Sequence, residues 1–163
     1  MNPKEPRYTR GDLSNAVTNL RPDMLGMWIR RGVLDVKDVA PGKGVHRLFS
    51  FSEALVIDIM AFLTLKDISS SQAAAVGRVA ASEVETLIAK CGGLDYTKID
   101  ESKVKPIVWT YDSKGKLDYK PIHRSELPGY KKEYFQVLDY LGFAIRLFEA
   151  LETVRGIRIR SGK

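Results

Sequence analysis

The sequence predicts a mainly α-helical fold with a small amount of β-structure. Three observations support this fold class. Capping residues precede apolar residues at helical spacing in the N-terminal part, β-branched and aromatic residues surround one turn in the C-terminal part, and a long apolar helical pattern follows that turn. Hydrophobic residues make up 44% of the 163 residues and charged residues 28%, a composition typical of a globular protein.

Two short helices are predicted near the N-terminal end. Thr9 and Asp12 have the spacing of a capping box, which marks the start of the first helix. Pro22 suits the first position of a second helix over residues 22–31, because its missing N–H would have no partner there, and Gly32 provides a left-handed stop. The stripe expected to be buried on the second helix consists of Leu25, Trp28 and Ile29.

A basic hairpin is expected next. The segment "GKGVHRLFS", residues 42–50, which we call the wing segment, contains no acidic residue. In the expected hairpin, "HRLF" (residues 46–49) pairs with "GVL" (residues 32–34) across a glycine-containing loop. Ser50 and Glu53 then form the capping box of a third helix.

The remaining patterns predict one more helix, a hairpin and a long last helix. The fourth helix begins at Ser69, with Gln72 in its cap, and ends at Gly92. Residues 105–123 predict two strands around a Ser-Lys-Gly turn, and the last helix is expected over residues 131–154. These patterns divide the chain into residues 1–66, residues 67–93 as a connecting helix, and residues 94–163 as the hairpin with the last helix.

The last helix carries apolar residues at spacings of three and four, the pattern of a coiled coil that forms a dimer. The residues expected in the dimer interface are Val137, Leu141, Ala144, Phe148 and Leu151. A second apolar seam lies roughly 100° around the same helix. We therefore expect a homodimer; the alternative is that the β-hairpin and the fourth helix cover both seams within one monomer.

The predicted order of helix, turn, helix, small hairpin and helix is that of a winged helix-turn-helix domain. Within residues 8–80, "YTRGDL", "LRPDMLGMWIRRGVL" and "GKGVHRLFSFSEAL" resemble the DNA-binding domain of the MerR family. The resemblance is carried by Tyr8, Thr9, Leu13, Trp28, Gly32, Leu34, Arg47, Phe49, Ser50 and Glu53. It implies a bacterial or phage transcription regulator that is dimeric through its C-terminal helix and binds a pseudo-palindromic operator in double-stranded DNA.

The second helix departs from the family pattern. Where the family has an arginine followed by two aromatic residues, this chain has Gly26, Met27 and Trp28. Positive charge lies at the edges of the helix instead, which predicts contacts with the DNA backbone, while Asp23 is a candidate acceptor from cytosine N4. The predicted DNA-binding residues are Arg10, Arg21, Asp23, Arg30, Arg31, Lys43, His46 and Arg47.

Composition excludes several other classes of function. The formal charge of +6 and a pI of about 9.4 favour an anionic partner. A single cysteine, Cys91, and two separated histidines predict no metal site, no cofactor and no catalytic group, so an enzyme is not expected. No apolar run has transmembrane length and no signal peptide is recognised, which predicts a cytoplasmic protein that is nucleoid-associated when bound to DNA.

Two alternative functions stay open on the sequence alone. Gly26 and Met27 favour a protein-interaction module that keeps the winged fold. The acid-free wing segment is equally compatible with an excisionase-like architectural protein that binds phage DNA. The sequence does not distinguish activation from repression, and it identifies no effector ligand.

Overall fold

The computed structural model describes residues 2–35, 47–92, 99–100, 104–112, 114, 116–129 and 136–161. This part of the chain is mainly helical, with two small antiparallel sheets. Its helices are α1 (Arg10–Ala16), α2 (Pro22–Arg30), α3 (Phe51–Thr64), α4 (Ser70–Cys91) and α5 (Tyr140–Ser161), with a 3₁₀ helix over Arg124–Gly129. Its strands are β1 (Tyr8–Thr9), β2 (Leu48–Phe49), β3 (Ile107–Tyr111), β4 (Leu117–Pro121) and β5 (Gln136–Leu138).

The starts of three helices are confirmed by their capping bonds. At α1 the Asp12 N–H donates to Thr9 Oγ1 (3.2 Å), and the Asp12 carboxylate accepts from the Thr9 N–H (2.7 Å). Ser50 and Glu53 form the same reciprocal pair at α3, with distances of 3.2 Å and 2.7 Å. At α4 the N–H of the third helical residue donates to Ser69 Oγ at 3.4 Å. These bonds satisfy N–H groups that the helix itself leaves without partners.

The end of α2 is also confirmed, within one residue. Gly32 has φ of 66°, a left-handed conformation in which glycine has no side chain to clash. The Val33 N–H donates to the Trp28 carbonyl and the Gly32 N–H to the Ile29 carbonyl, both at 3.0 Å. This is the Schellman arrangement, which turns the chain back across the end of the helix.

The expected pairing of the wing segment with residues 32–34 is wrong. β2 pairs instead with β1, in an antiparallel register that places Tyr8 opposite Phe49 and Thr9 opposite Leu48. Residues 33–35 form no strand, because the bonds at the end of α2 use the N–H groups of Val33 and Leu34, and the Val33 carbonyl accepts from Arg78 at 2.7 Å. Of the expected hairpin, the loop and His46 lie outside the described residues.

The centre of the core is the antiparallel contact between α3 and α4. α3 is buried on nearly all sides; its fully buried residues include Leu55, Ile57, Ile59 and Leu63. α4 presents small residues to it, and a β-carbon on Gly77 would lie 3.2 Å from the Cα, the carbonyl oxygen and the Cγ1 of Val56. The two helix backbones therefore approach so closely at Gly77 that a side chain there would require Val56 to shift by a few tenths of an ångström.

The C-terminal hairpin is confirmed, but the helix predicted over residues 131–154 begins too early. β3 pairs with β4 as expected, and it also pairs with the unexpected strand β5, giving the order β4-β3-β5. α5 begins only at Tyr140, where Oδ1 of Asp139 accepts the N–H of Gly142 at 3.3 Å. Asp139 is thus the N-cap of α5, and residues 136–138 belong to the sheet.

Three of the five residues expected in the dimer interface are buried within the monomer instead. Leu141, Ala144 and Leu151 are buried by the chain's own α1, α3 and α4, with exposed fractions of 6%, 0% and 0%. Phe148 is half-buried with its ring centre 5.9 Å from that of Phe51, and Val137 is an exposed residue of β5. The seam is therefore covered within one monomer, mainly by helices of the N-terminal part. Among the described residues, no helix combines the length and apolar character needed to cross a membrane.

Candidate nucleic-acid interface

α2 is anchored to the core by one face. Met24, Leu25 and Trp28 are buried, with Trp28 at 1% exposure, whereas Ile29 is only half-buried. α1 and α2 are joined by a tight turn in which Asn19 has φ of 66°, a conformation that asparagine tolerates better than most residues. The face of α2 opposite this buried stripe is consequently directed to solvent.

The turn between α1 and α2 is held by an ion pair between a partly exposed arginine and a buried carboxylate. Arg146 of α5 pairs with the carboxylate of Asp58, which is 1% exposed, and donates from Nη1 to Thr18 Oγ1 at 2.9 Å. Burial raises the pKa of the Asp58 carboxyl to about 6, although Arg146 and the Thr18 N–H lower it. The position of the turn thus depends on both α3 and α5.

Two arginine side chains meet over Gly26 on the outward face of α2. A β-carbon on Gly26 would lie 3.4 Å from Nη1 of Arg30 and 3.7 Å from Nη2 of Arg10. Arg10 also donates from Nη2 to the carbonyl oxygen of Pro22 at 2.5 Å, which holds its side chain across the first turn of α2. We call Arg10 and Arg30 the Gly26 arginine pair, because the missing side chain at Gly26 gives both guanidinium groups room above the helix.

The Gly26 arginine pair concentrates positive charge on the outward face of α2. Both arginines are exposed, and within the described ranges neither forms an ion pair with a carboxylate. Two like charges at one point attract anions, and a guanidinium matches the geometry of a phosphate in a bidentate way. Phosphate groups are therefore the ligand that this pair is best suited to bind.

Arg47 joins this surface through the β1–β2 pairing. Arg10 directly follows β1 and Arg47 directly precedes β2, so both residues adjoin the Thr9–Leu48 pair at one end of this sheet. The Arg47 guanidinium lies 5.9 Å from the centre of the Phe49 ring, and the residue is half-buried. β2 thereby brings the end of the wing segment to the start of α1.

Three of the other predicted DNA-binding residues lie at the ends of α2, and two lie outside the described residues. Arg21 and Arg31 occupy the two cap positions of α2, Asp23 lies in its first turn, and all three are exposed. Lys43 and His46 lie outside the described residues. The structure thus brings Arg10 and Arg30 together over Gly26, and Arg47 adjoins the same end of the β1–β2 pair as Arg10. Arg21, Asp23 and Arg31 lie at the ends of the same short helix.

Sequence reasoning missed the role of Gly26. Gly26 and Met27 were both counted against binding, but Met27 is half-buried against the core and Gly26 makes room for the arginines. The spacing contained part of this information, because side chains on a helix lean towards its N-terminus and Arg30 is one turn after Gly26. The approach of Arg10 is a tertiary contact, which spacing does not predict.

Comparison of the chain with known protein families and with curated proteins finds no match in either case. Within the part of the chain that the structure describes, no three His, Cys, Asp or Glu side chains are grouped so that they could hold a metal ion. The basic surface around α2 is therefore the structural feature that bears most directly on function.

Proposed function

We propose that the chain is a winged helix-turn-helix protein that binds double-stranded DNA and regulates transcription, in the cytoplasm at the nucleoid. The observation that carries the proposal is the Gly26 arginine pair, two exposed guanidinium groups over a helix position without a side chain. The resemblance to the MerR family supports it, as does the β1–β2 pairing, one end of which adjoins both Arg10 and Arg47.

The geometry favours contacts with the DNA backbone over direct reading of bases. With Gly26 towards the duplex, the backbone of α2 approaches the groove closely, and Arg10 and Arg30 each bind a phosphate. Phosphate contacts position a protein on DNA but carry no sequence information. Asp23 is the exposed residue on this helix that can accept from cytosine N4, so we expect weak sequence preference and strong salt dependence.

A salt titration tests the arginine pair. Fluorescence anisotropy with a labelled duplex is measured for the wild type and for the double variant Arg10→Gln/Arg30→Gln. Each lost phosphate contact lowers the slope of log affinity against log salt by roughly one unit, so the double variant should lose roughly two. The matched control is Arg124→Gln, an exposed arginine on the 3₁₀ helix, which should leave the slope unchanged. Equal slopes for the double variant and the control contradict the proposal.

Substitution at Gly26 separates the space above α2 from the charge. In Gly26→Ala the new methyl group fits at ordinary contact distance from both guanidinium groups. In Gly26→Leu the longer side chain occupies their space, although leucine is a good helix former. We expect duplex affinity to fall clearly with leucine and to change little with alanine.

The regulatory part of the proposal has its own tests. Selection from random duplexes should enrich a palindromic site if the protein is a regulator; steep salt dependence without enrichment indicates an architectural protein instead.

The resemblance implies a homodimer, which we keep as part of the proposal. Because Leu141, Ala144 and Leu151 are buried in the monomer, its interface would lie on another surface. Sedimentation of the intact chain on a two-site duplex measures the stoichiometry.

A further inference from the structure

A second group of arginine side chains surrounds Tyr8 of β1. The guanidinium of Arg7 lies 5.7 Å from the centre of the Tyr8 ring, and that of Arg155, on α5, lies 5.9 Å from the same point. The ring itself is 0% exposed, whereas the Arg155 side chain is 32% exposed. We call Arg7, Tyr8 and Arg155 the Tyr8 cluster.

One carboxylate of the described residues contacts this cluster. The Tyr8 hydroxyl donates to Oε1 of Glu152 at 3.3 Å, and Nη1 of Arg155 lies 3.5 Å from the same oxygen. Burial, reinforced by Glu152, raises the pKa of Tyr8 to about 12, so the hydroxyl keeps its proton and remains a donor. Two guanidinium groups facing one carboxylate leave an excess of positive charge.

Packing of the tyrosine ring does not explain this excess. One cation near an aromatic ring is attracted to it, but a second cation at the same ring is repelled by the first. Glu152 offsets the charge of Arg155, and a further anion would offset that of Arg7. The two guanidinium groups of the Gly26 arginine pair also repel each other, because both lie over one helix position.

The Tyr8 cluster and the Gly26 arginine pair adjoin the two ends of β1, because Arg7 directly precedes the strand and Arg10 directly follows it. The Arg7 N–H donates to the Phe49 carbonyl at 3.0 Å, so Arg7 and Arg47 lie at the two ends of the β1–β2 pair. Along an extended strand, the three residue steps from Arg7 to Arg10 span about 10 Å. That length corresponds to about three phosphates of one DNA strand along the helix axis.

We infer that the Tyr8 cluster is a second phosphate-binding site, which extends the DNA-binding surface from α2 along β1 to α5. The inference rests on the proposed duplex binding and assigns Arg155 of the C-terminal helix to the same surface. Glu152 weakens this site by partly neutralising Arg155. Substituting the two residues should therefore change affinity in opposite directions.

The test uses one labelled duplex and the full chain in several variants. Arg155→Gln removes a phosphate contact and should lower the salt slope by roughly one unit. Glu152→Gln keeps an acceptor for the Tyr8 hydroxyl but removes the negative charge, so it should bind more tightly than the wild type. Arg155→Lys keeps the charge and should retain most of the salt slope. Thermal unfolding of each variant is measured in parallel.

The outcomes separate this inference from the proposed function. If Arg155→Gln lowers the melting temperature but not the salt slope, Arg155 is only structural and the inference is wrong. If Arg155→Gln lowers the slope while Arg10→Gln/Arg30→Gln does not, the inference holds and the α2 face is wrong. If only Arg10→Gln/Arg30→Gln lowers the salt slope, the proposed function stands and the second site is wrong. Failure of the wild type to bind any duplex contradicts both.

Discussion

The α1–α2 region and the α3–α4 region each contain a glycine inside a helix, and the two glycines have opposite surroundings. At Gly77 a β-carbon would meet the backbone of Val56 at 3.2 Å. At Gly26 it would meet only the ends of two arginine side chains, the nearer at 3.4 Å. In the α3–α4 region the missing side chain brings two helices together; in the α1–α2 region it makes room for charge. A glycine in a helix can thus be interpreted only when its neighbour is known.

Burial shows the same difference between the two regions. Within α3, residues from Ala54 to Ala61 are all buried, including the charged Asp58. α2 buries a single stripe and leaves its other face to solvent. Substitutions in each region should affect different properties of the protein.

Truncating Trp28, which anchors α2 to the core, should have the largest effect on stability. Trp28 is 1% exposed, so Trp28→Ala should lower the free energy of unfolding by about 3–5 kcal/mol through the cavity it leaves. The measurement is chemical denaturation, with Met27→Ala as a smaller neighbouring truncation. Unchanged stability together with lost duplex binding would make Trp28 a contact residue and break the comparison.

The buried carboxylate that joins the two regions should have the next largest effect. The pKa of Asp58 is raised from 3.8 to about 6 in the folded chain, so the folded state binds a proton more readily than the unfolded state. The contribution of Asp58 to stability is therefore greatest below about pH 4 and declines as the pH rises to about 6, by on the order of 2 kcal/mol. The measurement is unfolding at several pH values for the wild type and Asp58→Asn; parallel profiles would show that Asp58 does not titrate in this window.

The two glycines should respond oppositely to the same substitution. Gly77→Ala introduces overpacking of about 1–3 kcal/mol against the Val56 backbone, partly offset by better helix propensity. Gly26→Ala meets only movable side-chain ends and should raise the free energy of unfolding by about 0.5–1 kcal/mol. Thermal denaturation of both variants measures the contrast. A loss of stability in both would mean that position 26 is as confined as position 77.

Local chemistry explains which parts of the fold the sequence could predict. The caps at Thr9, Ser50 and Ser69 depend on residues three positions away, and their helices begin where expected. The prediction of the long helix placed its start too early because β5 exists only through its pairing with β3, a contact between residues about thirty positions apart in the chain. Asp139 was the local indication of the true helix start, but the apolar repeat that runs through it obscured its role as an N-cap.

The candidate site was predictable to a similar extent. Arg10 and Arg30 could be named from charge and position, and the structure places both on one exposed face. Their convergence on Gly26, and the approach of Arg155 to Tyr8, depend on tertiary packing. The expected dimer seam failed for the same reason, because a heptad pattern shows that a face is apolar but does not show which element covers it.

The packing of α1 against α5 has a consequence for the order in which the protein matures. α1 is made early, yet the helix that covers its buried face is made last among the described elements. At about 5–20 residues per second, on the order of ten seconds of synthesis separate the two. During that interval the nascent chain has the arginines of α2 but lacks Arg146 against the turn at Thr18. The turn that positions the proposed DNA-binding face is therefore completed late in translation, after Arg146 has been made.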